Sequence, residues 1–381
     1  MNNTKTICIA GIHSLLERTG GAEWQTHYIG EALVKYGFNV IHLCPSLEGK
    51  TGYSYINKQK SIYWYPHVAS FWNVPVETCL AFLYETRPDL IYIRGRTALQ
   101  ESGVVEKYKR STKTPYLFGL SSDGELQPHY RLTALWGSKK KRLKKITVSA
   151  YAMWSDLRMR QTLKKADMVI CQHRSQLQKA HTINKNNFCL PSLHSKRRVK
   201  SEKSNQNLIV WIANNRPEKQ SKLFIELAKQ LQSVDCKFIM VLGNSRWSQT
   251  LPKPTSNLEI LHSQPKEKID EILARATLLV NTSKIDVEGF PNVFIQAWLT
   301  ETVVVSLHAN PENLLSREQI GVHSHTFAQL VCDVKNLLEN RTLRIQMGQR
   351  ARQYAEQHHS FENNWKKVAR RFQTALQQDA K

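Results

Sequence analysis

Between Asn281 and Leu307 the sequence runs NTSKIDVEGFPNVFIQAWLTETVVVSL, and the residue types here suit anion chemistry. An apolar strand-like run ends at Leu278–Val280 and a polar loop carries Asp286 and Glu288. A helix is expected to open at Pro291, and a second strand at Val303–Val305. Proline suits the first helical position because its φ is already fixed near the helical value and its missing N–H would have had no intrahelical partner. The free N–H groups of Asn292 and Val293 then stand at the positive end of a helix behind a loop carboxylate, an arrangement able to hold a phosphate. From spacing alone, an ordinary strand–helix–strand connection with a surface glutamate fits equally.

The run Glu288-Gly289-Phe290-Pro291-Asn292-Val293, followed by Ala297 and Val303-Val304-Val305, resembles the EGFPN signature of the family 4 (group 1) retaining glycosyltransferases. The segment NRTLRIQMGQRARQYAEQHHSFENNW is similar to that family's ending, and the likeness is strongest from about Leu208 to Trp365. It implies that Glu288 binds hydroxyls of a donor sugar and that Gly289, Phe290, Asn292 and Val293 line the donor site. The family usually has a second glutamate eight residues after the first, where this chain has Gln296. An amide both accepts and donates, so a ribose contact can survive there in weaker form. Lys219 matches the family's phosphate-contacting lysine. The arginine usual five residues earlier is replaced by Asn214, which leaves Arg216 to act from a shifted place.

Nearer the start, the strand Thr6–Ile12 leads through Gly20-Gly21 into a helix from about Ala22 to Tyr36, with Glu23 in its first turn and Gly37 as its C-cap. Gly20 and Gly21 allow close backbone approach or positive φ. In the family resembled, this GG-x-E segment lies beside the donor phosphates, which places Gly20 and Gly21 with the donor and Glu23 on the acceptor side. The strand Tyr116–Leu120 ends in Ser121-Ser122-Asp123-Gly124-Glu125. Ligands of open α/β sheets bind beyond the carboxyl ends of strands, so Asp123, Glu125 and His129 are candidates. Asp123 takes the catalytic or acceptor role and His129 an acceptor-side role; alternatively, Asp123-Gly124 simply makes a turn.

Of the 381 residues, 54 are Lys or Arg and 31 Asp or Glu, a net charge of +23. Residues 1–200 carry +18 of it, so the first half meets, or tolerates, something anionic: lipid headgroups, a charged saccharide or nucleic acid. Lys139–Lys145 is KKKRLKK, and it precedes an amphipathic stretch in which Ile146, Ala150, Met153, Trp154 and Leu157 recur at helical spacing. That stretch suits an anionic membrane surface or an ordinary core-facing helix. No apolar run nears the roughly 20 residues that span a bilayer, and the N-terminus lacks a signal-peptide apolar region, so a cytoplasmic location is expected, with peripheral contact at the inner face of the membrane. The seven cysteines are scattered without a CxxC pair, which implies neither a disulfide framework nor zinc.

Strands and helices alternate on both sides of the polar, basic stretch Pro191–Asn207. The expected class is α/β with two Rossmann-like domains, residues 1–195 and 206–360. The resemblance makes this the GT-B fold, with domains facing across a cleft and a C-terminal helix, 361–381, returning to the first domain. The implied activity is retaining transfer of a sugar from a UDP- or GDP-linked donor to a lipid-linked or anionic surface-polysaccharide precursor. The departing phosphate takes the acceptor proton, with no cofactor and no metal. Two other classes stay open: a non-catalytic partner of an active transferase with a decayed donor site, and a nucleic-acid binder, which charge alone suggests and no recognised motif supports.

Overall fold

A computed structural model describes residues 4–67, 75–95, 99–136, 142–196, 206–243, 250–284 and 288–378. Asp286 and Lys139–Lys141 lie outside the described residues, as do the side chains of Arg142–Lys145 and Ile146. The chain divides into two units, one made of Met1–Leu193 with Asn364–Lys381 and the other of His194–Asn363.

The first unit contains β1 (Thr6–Ala10), α1 (Gly21–Tyr36), β2 (Asn39–Ser46), β3 (Gly52–Asn57), β4 (Lys60–Pro66), α2 (Val76–Thr86), β5 (Leu90–Arg94), α3 (Leu99–Thr112) and β6 (Tyr116–Gly119). It continues with α4 (Tyr130–Trp136), α5 (Arg142–Lys165), β7 (Met168–Cys171), α6 (Arg174–His181) and β8 (Asn187–Cys189). Its sheet has the order β3-β4-β2-β1-β5-β6-β7-β8, parallel except for the β3–β4 hairpin. Central strands such as LIYIR of β5 are buried along their whole length, as expected of a parallel sheet covered on both faces. Gly37 closes α1 with φ 108°, a left-handed conformation that glycine adopts without a Cβ penalty, and donates its N–H to Leu33 and Val34.

The second unit contains β9 (Asn207–Asn214), α7 (Ser221–Gln230), β10 (Cys236–Gly243), β11 (Leu258–His262), α8 (Lys266–Arg275) and β12 (Leu278–Asn281). Then come α9 (Asn292–Trp298), β13 (Val303–Ser306), α10 (Leu314–Arg317), β14 (Gly321–His323), α11 (Phe327–Glu339) and α12 (Arg341–His358). The strand period of two sorts each strand between two cores. Ile209, Trp211, Leu278, Val280, Val303 and Val305 pack on one face with α7 and α11. Leu208, Val210, Leu279 and Val304 pack on the other with α8, α9 and α12.

The last helix, α13 (Phe361–Gln378), belongs to the first unit from Asn364 onward. There the ring of Phe372 meets Tyr92 at 5.5 Å, and the Lys35 ammonium lies 4.7 Å from the Trp365 ring centroid.

All six strands of the second sheet are parallel, in the order β11-β10-β9-β12-β13-β14. From β9 the chain builds outward through β10 and β11, then returns to β12 on the other side of β9 and builds the opposite way. This reversal opens a crevice beyond the carboxyl ends of β9 and β12, the place where ligands of open α/β sheets bind.

Candidate active site

The loops that leave β9 and β12 meet at that crevice. After β9 the chain makes a tight 3-10 turn, Pro217–Lys219, and Lys219 is carried to the carboxyl end of β12. Its ammonium pairs with the Glu288 carboxylate, and the two side chains are each about one-fifth exposed. The Ser283 hydroxyl donates to the same Glu288 oxygen at 2.8 Å, and the Asn281 amide donates to Ser283 Oγ at 3.3 Å. Burial pushes the Glu288 carboxyl up, but the Lys219 charge, its hydrogen bond and those from Ser283 and Asn281 outweigh this and hold it below the usual range.

The loop backbones are fastened together beneath this pair. Trp211 Nε1 donates to Thr282 Oγ1 at 2.9 Å, and that hydroxyl donates to the Lys219 carbonyl at 2.7 Å. The Lys284 N–H donates to the Glu218 carbonyl at 2.9 Å. The crevice thus holds one fixed cation and one fixed carboxylate side by side. Cations suit the charge that develops on a departing diphosphate, and a carboxylate suits sugar hydroxyls.

The other expected donor residues fall around this pair in different ways. Asn214 ends β9 in register with Gly243 of β10, and its side-chain oxygen occupies the space that a Cβ on Gly243 would need. Arg216 is partly exposed at the N-cap of the 3-10 turn. Phe290 is in the core, with its ring 4.8 Å from His359 and 6.1 Å from Trp298, so the side chain positions the loop and leaves its backbone for a ligand. Gly289 is buried, while Asn292, Val293 and Gln296 are half-buried. Asn292 Oδ1 lies 3.3 Å from His194 Nε2.

The expected helix opening needs correction: α9 begins at Asn292, and Pro291 is its N-cap with φ −64° and ψ 112°. The helix has only seven residues, so its dipole is weak and the Lys219 ammonium is the stronger attractor for an anion. Ser283, Asn281 and Thr282, which hold Glu288 and Lys219, went unmarked in the sequence. Their signal was position alone, at the end of a buried strand and beside a loop glutamate.

In the first unit, Gly20 is the N-cap of α1 with φ −164°, extended backbone that any residue adopts, so of the two uses open to it positive φ is not the one found. The close approach is found, but it is internal: a Cβ on Gly20 would meet Glu23 Oε2 at 2.4 Å. Glu23 is buried over the helix start, 3.4 Å from Arg18 Nε, and Gly21 is the first helical residue. The Glu125 carboxylate accepts from the Ser121 N–H at 2.8 Å and the Ser121 hydroxyl at 2.6 Å, which closes the strand-end turn. His129, at φ 57°, is exposed and lines a cavity of about 130 Å³ with Glu125, Asp156, Leu157 and Arg160.

Asp123 opens a 3-10 turn just beyond β6, and its Oδ1 meets His173 Nε2 at 3.0 Å and accepts from Gln176 Nε2 at 2.7 Å. His173 and Gln176 follow the neighbouring strand β7 and were not marked in the sequence. Among the described residues no cluster of three His, Cys, Asp or Glu side chains is placed to hold a metal, and no helix is long and apolar enough to cross a membrane.

No curated protein matches the sequence. Sucrose-phosphate synthase from Thermosynechococcus elongatus shares the fold at a TM-score of 0.74 and 14% identity, with 98% of each chain covered. Anabaena HepE, solved with UDP-glucose, is similar at 0.70 and 13%, covering 97% of this chain and 99% of its own. TarM from S. aureus, in complex with Fondaparinux, alpha-GlcNAc-glycerol and UDP, is similar at 0.58 and 14%, covering 79% of this chain and 58% of its own. Residues 194–354, which contain both Lys219 and Glu288, match the family described as glycosyl transferases group 1. The second unit of this chain thus matches the group 1 glycosyltransferase model over most of its length, in a chain that shares the GT-B fold.

Proposed function

We propose that this glycosyltransferase moves a sugar, with retention of configuration, from a nucleotide sugar to a lipid-linked or anionic surface-polysaccharide precursor. The observation that carries the donor half is the Lys219–Glu288 pair at the β9/β12 crevice. Lys219 neutralises the diphosphate as the glycosidic bond breaks, and Glu288 accepts from donor-sugar hydroxyls. The leaving phosphate takes the acceptor proton on the face where the new bond forms, so that no separate base and no metal are required. Asn214, Arg216, Gly289, Asn292, Val293 and Gln296 complete the donor surface. Gly20 and Gly21 serve the donor phosphates, and Asp123, Glu23 and His129 serve the acceptor. HepE with UDP-glucose and TarM with UDP and saccharides support a nucleotide-sugar donor and a saccharide acceptor.

Titration calorimetry with UDP, GDP and UDP-glucose tests this reading. Saturable binding of one nucleotide is expected, and binding of none would leave the alternative of a non-catalytic partner protein. Gln296→Glu is expected to tighten binding of that nucleotide by roughly 5- to 10-fold, since a charge-assisted hydrogen bond to the ribose replaces a neutral one. Weaker binding would mean that Gln296 has another role.

The acceptor half rests on charge and on α5. Ala150, Met153 and Leu157 lie on one exposed face of this helix, followed by the exposed Arg160 and Lys164, while Trp154 is half-buried. This face suits an anionic bilayer surface at which a lipid-linked acceptor is presented. The protein is expected to sediment with phosphatidylglycerol vesicles and to be released by high salt or by Met153→Glu with Leu157→Glu. Equal sedimentation with neutral vesicles, or none with either, would rule out the contact.

A further inference from the structure

His173 is the N-cap of α6, a position where serine, threonine, aspartate or asparagine would satisfy the helix with one acceptor atom. Imidazole brings an acceptor on one ring nitrogen and a donor on the other. Its Nδ1 accepts the backbone N–H of Gln176 at 3.3 Å and lies 2.7 Å from the Ser175 hydroxyl. A backbone N–H can only donate, so Nδ1 carries no proton and the ring is the Nε2–H tautomer. That proton points at Asp123 Oδ1, 3.0 Å away on the loop after the neighbouring strand.

Gln176 is oriented in the same way. The Gln172 N–H donates to Gln176 Oε1 at 2.8 Å, which leaves the amide nitrogen as the donor to Asp123 Oδ1 at 2.7 Å. His173 and Gln176 are buried, whereas the Asp123 side chain keeps about 16% of its surface. Two buried donors therefore occupy one oxygen of the carboxylate. The other, Oδ2, makes no hydrogen bond with the described residues and is not buried.

We propose that His173, seconded by Gln176, is a positioning residue that saturates one oxygen of Asp123 and presents the other to a single hydroxyl of the acceptor sugar. A free carboxylate can rotate and accept from either oxygen, so its contacts do not define a direction. With Oδ1 locked, the lone pairs of Oδ2 fix the line along which one O–H approaches. An acceptor with a hydroxyl in that position is held, and its deoxy analogue is not. No bond to carbon forms at this carboxylate and no proton has to leave it. The proposal rests on the reading that the first unit takes the acceptor.

Two variants separate positioning from helix capping. His173→Asn keeps an acceptor for the Gln176 N–H but lacks the reach to Asp123. His173→Gln extends an amide donor toward Asp123 at the expense of the cap. With UDP-glucose as donor and a lipid-linked saccharide as acceptor, His173→Asn is expected to lower kcat/KM for the acceptor by about 10- to 100-fold, with nucleotide affinity and melting temperature near wild type. His173→Gln is expected to recover most of that loss while melting lower. Unchanged acceptor kinetics in His173→Asn, or equal losses in both variants, would overturn the proposal.

A measurement independent of transfer tells this failure from failure of the acceptor reading. In the full chain with 15N-histidine, the His173 ring is expected to report a protonated Nε2 whose shift changes in Asp123→Asn. If that signature holds and no acceptor is ever transferred to, the acceptor reading fails and the positioning stands. A protonated Nδ1, or no response to Asp123→Asn, would overturn the positioning itself.

Discussion

Glu288→Ala is expected to lower kcat/KM for sugar transfer by about 10²- to 10³-fold, the loss typical when a preorganised polar partner of the reacting group is removed. The argument starts from the cost of holding this carboxylate. Burial alone would drive it toward its neutral form, and it stays ionised because Lys219, Ser283 and Asn281 all stabilise the charge. Holding a charge in a crevice against its own desolvation makes it a strong acceptor for hydroxyls that arrive there. Lys219→Met should be at least as damaging, because it removes the cation proposed to meet the diphosphate and leaves the Glu288 charge uncompensated.

The two losses should not add. Lys219 and Glu288 touch, so the double variant is expected to lie close to the worse single one. Steady-state kinetics of the three variants, alongside their melting curves, checks this. Activity of Glu288→Ala within about threefold of wild type would remove Glu288 from the chemistry, and full additivity would mean that the pair does not act as one unit. The sign of the pH effect is also fixed. A carboxyl whose folded pKa lies below its unfolded one contributes stability above the unfolded value, and this is lost as pH falls through the folded value. The second unit should therefore weaken in acid.

The opposite sign is expected in the first unit, from Glu101. This residue of α3 is fully enclosed, and its Oε1 accepts the Tyr65 hydroxyl at 2.6 Å while Oε2 has no hydrogen-bond partner. Burial pushes its carboxyl up to about 7, offset only in part by Tyr65 and by its own backbone N–H. The folded pKa lies above the ordinary 4.5, so the native state holds the proton more tightly than the unfolded chain does. Stability from this group is complete below about 4.5 and is lost as pH rises through about 7. The difference between the two values corresponds to roughly 3 kcal/mol at most.

Glu101→Gln imitates the protonated form at every pH. It is expected to match wild type near pH 4.5 and to be the more stable by up to about 3 kcal/mol above pH 8. Because a chain of two units need not unfold in one step, the quantity to follow is the transition that carries the first unit. A gap between variant and wild type that does not vary with pH would show that Glu101 does not titrate in this range.

Much of this protein follows from local rules. Continuous apolar runs mark the central strands of both sheets, because a parallel sheet covered on both faces buries every side chain of such a strand. Gly37 closes α1 where a C-cap glycine belongs. What escaped was short or atypical. The edge strand β3 is GYSYIN with Tyr55 and Ile56 exposed, and β14 has three residues. Neither carries a period long enough to distinguish it from a loop. The helix α3, LQESGVVEKYKRST, is mostly polar, so its sequence carries no clear apolar stripe and it is held by packing.

For the site, the sequence by itself singled out Lys219 and Glu288 as candidates, through the resemblance of the EGFPN run, and left Ser283, Asn281, His173 and Gln176 unmarked. Only the tertiary structure decided which groups share a charge or a proton. Lys219 and Glu288 are 69 residues apart, and Asp123 and His173 are 50 apart. The physical reason is that a parallel sheet places neighbouring strands far apart in sequence and gathers their carboxyl ends on one edge, so partnership across that edge depends on strand order. The same order explains why Phe290, inside the signature run, turns to the core: one side of the loop must anchor it for the other to present Glu288.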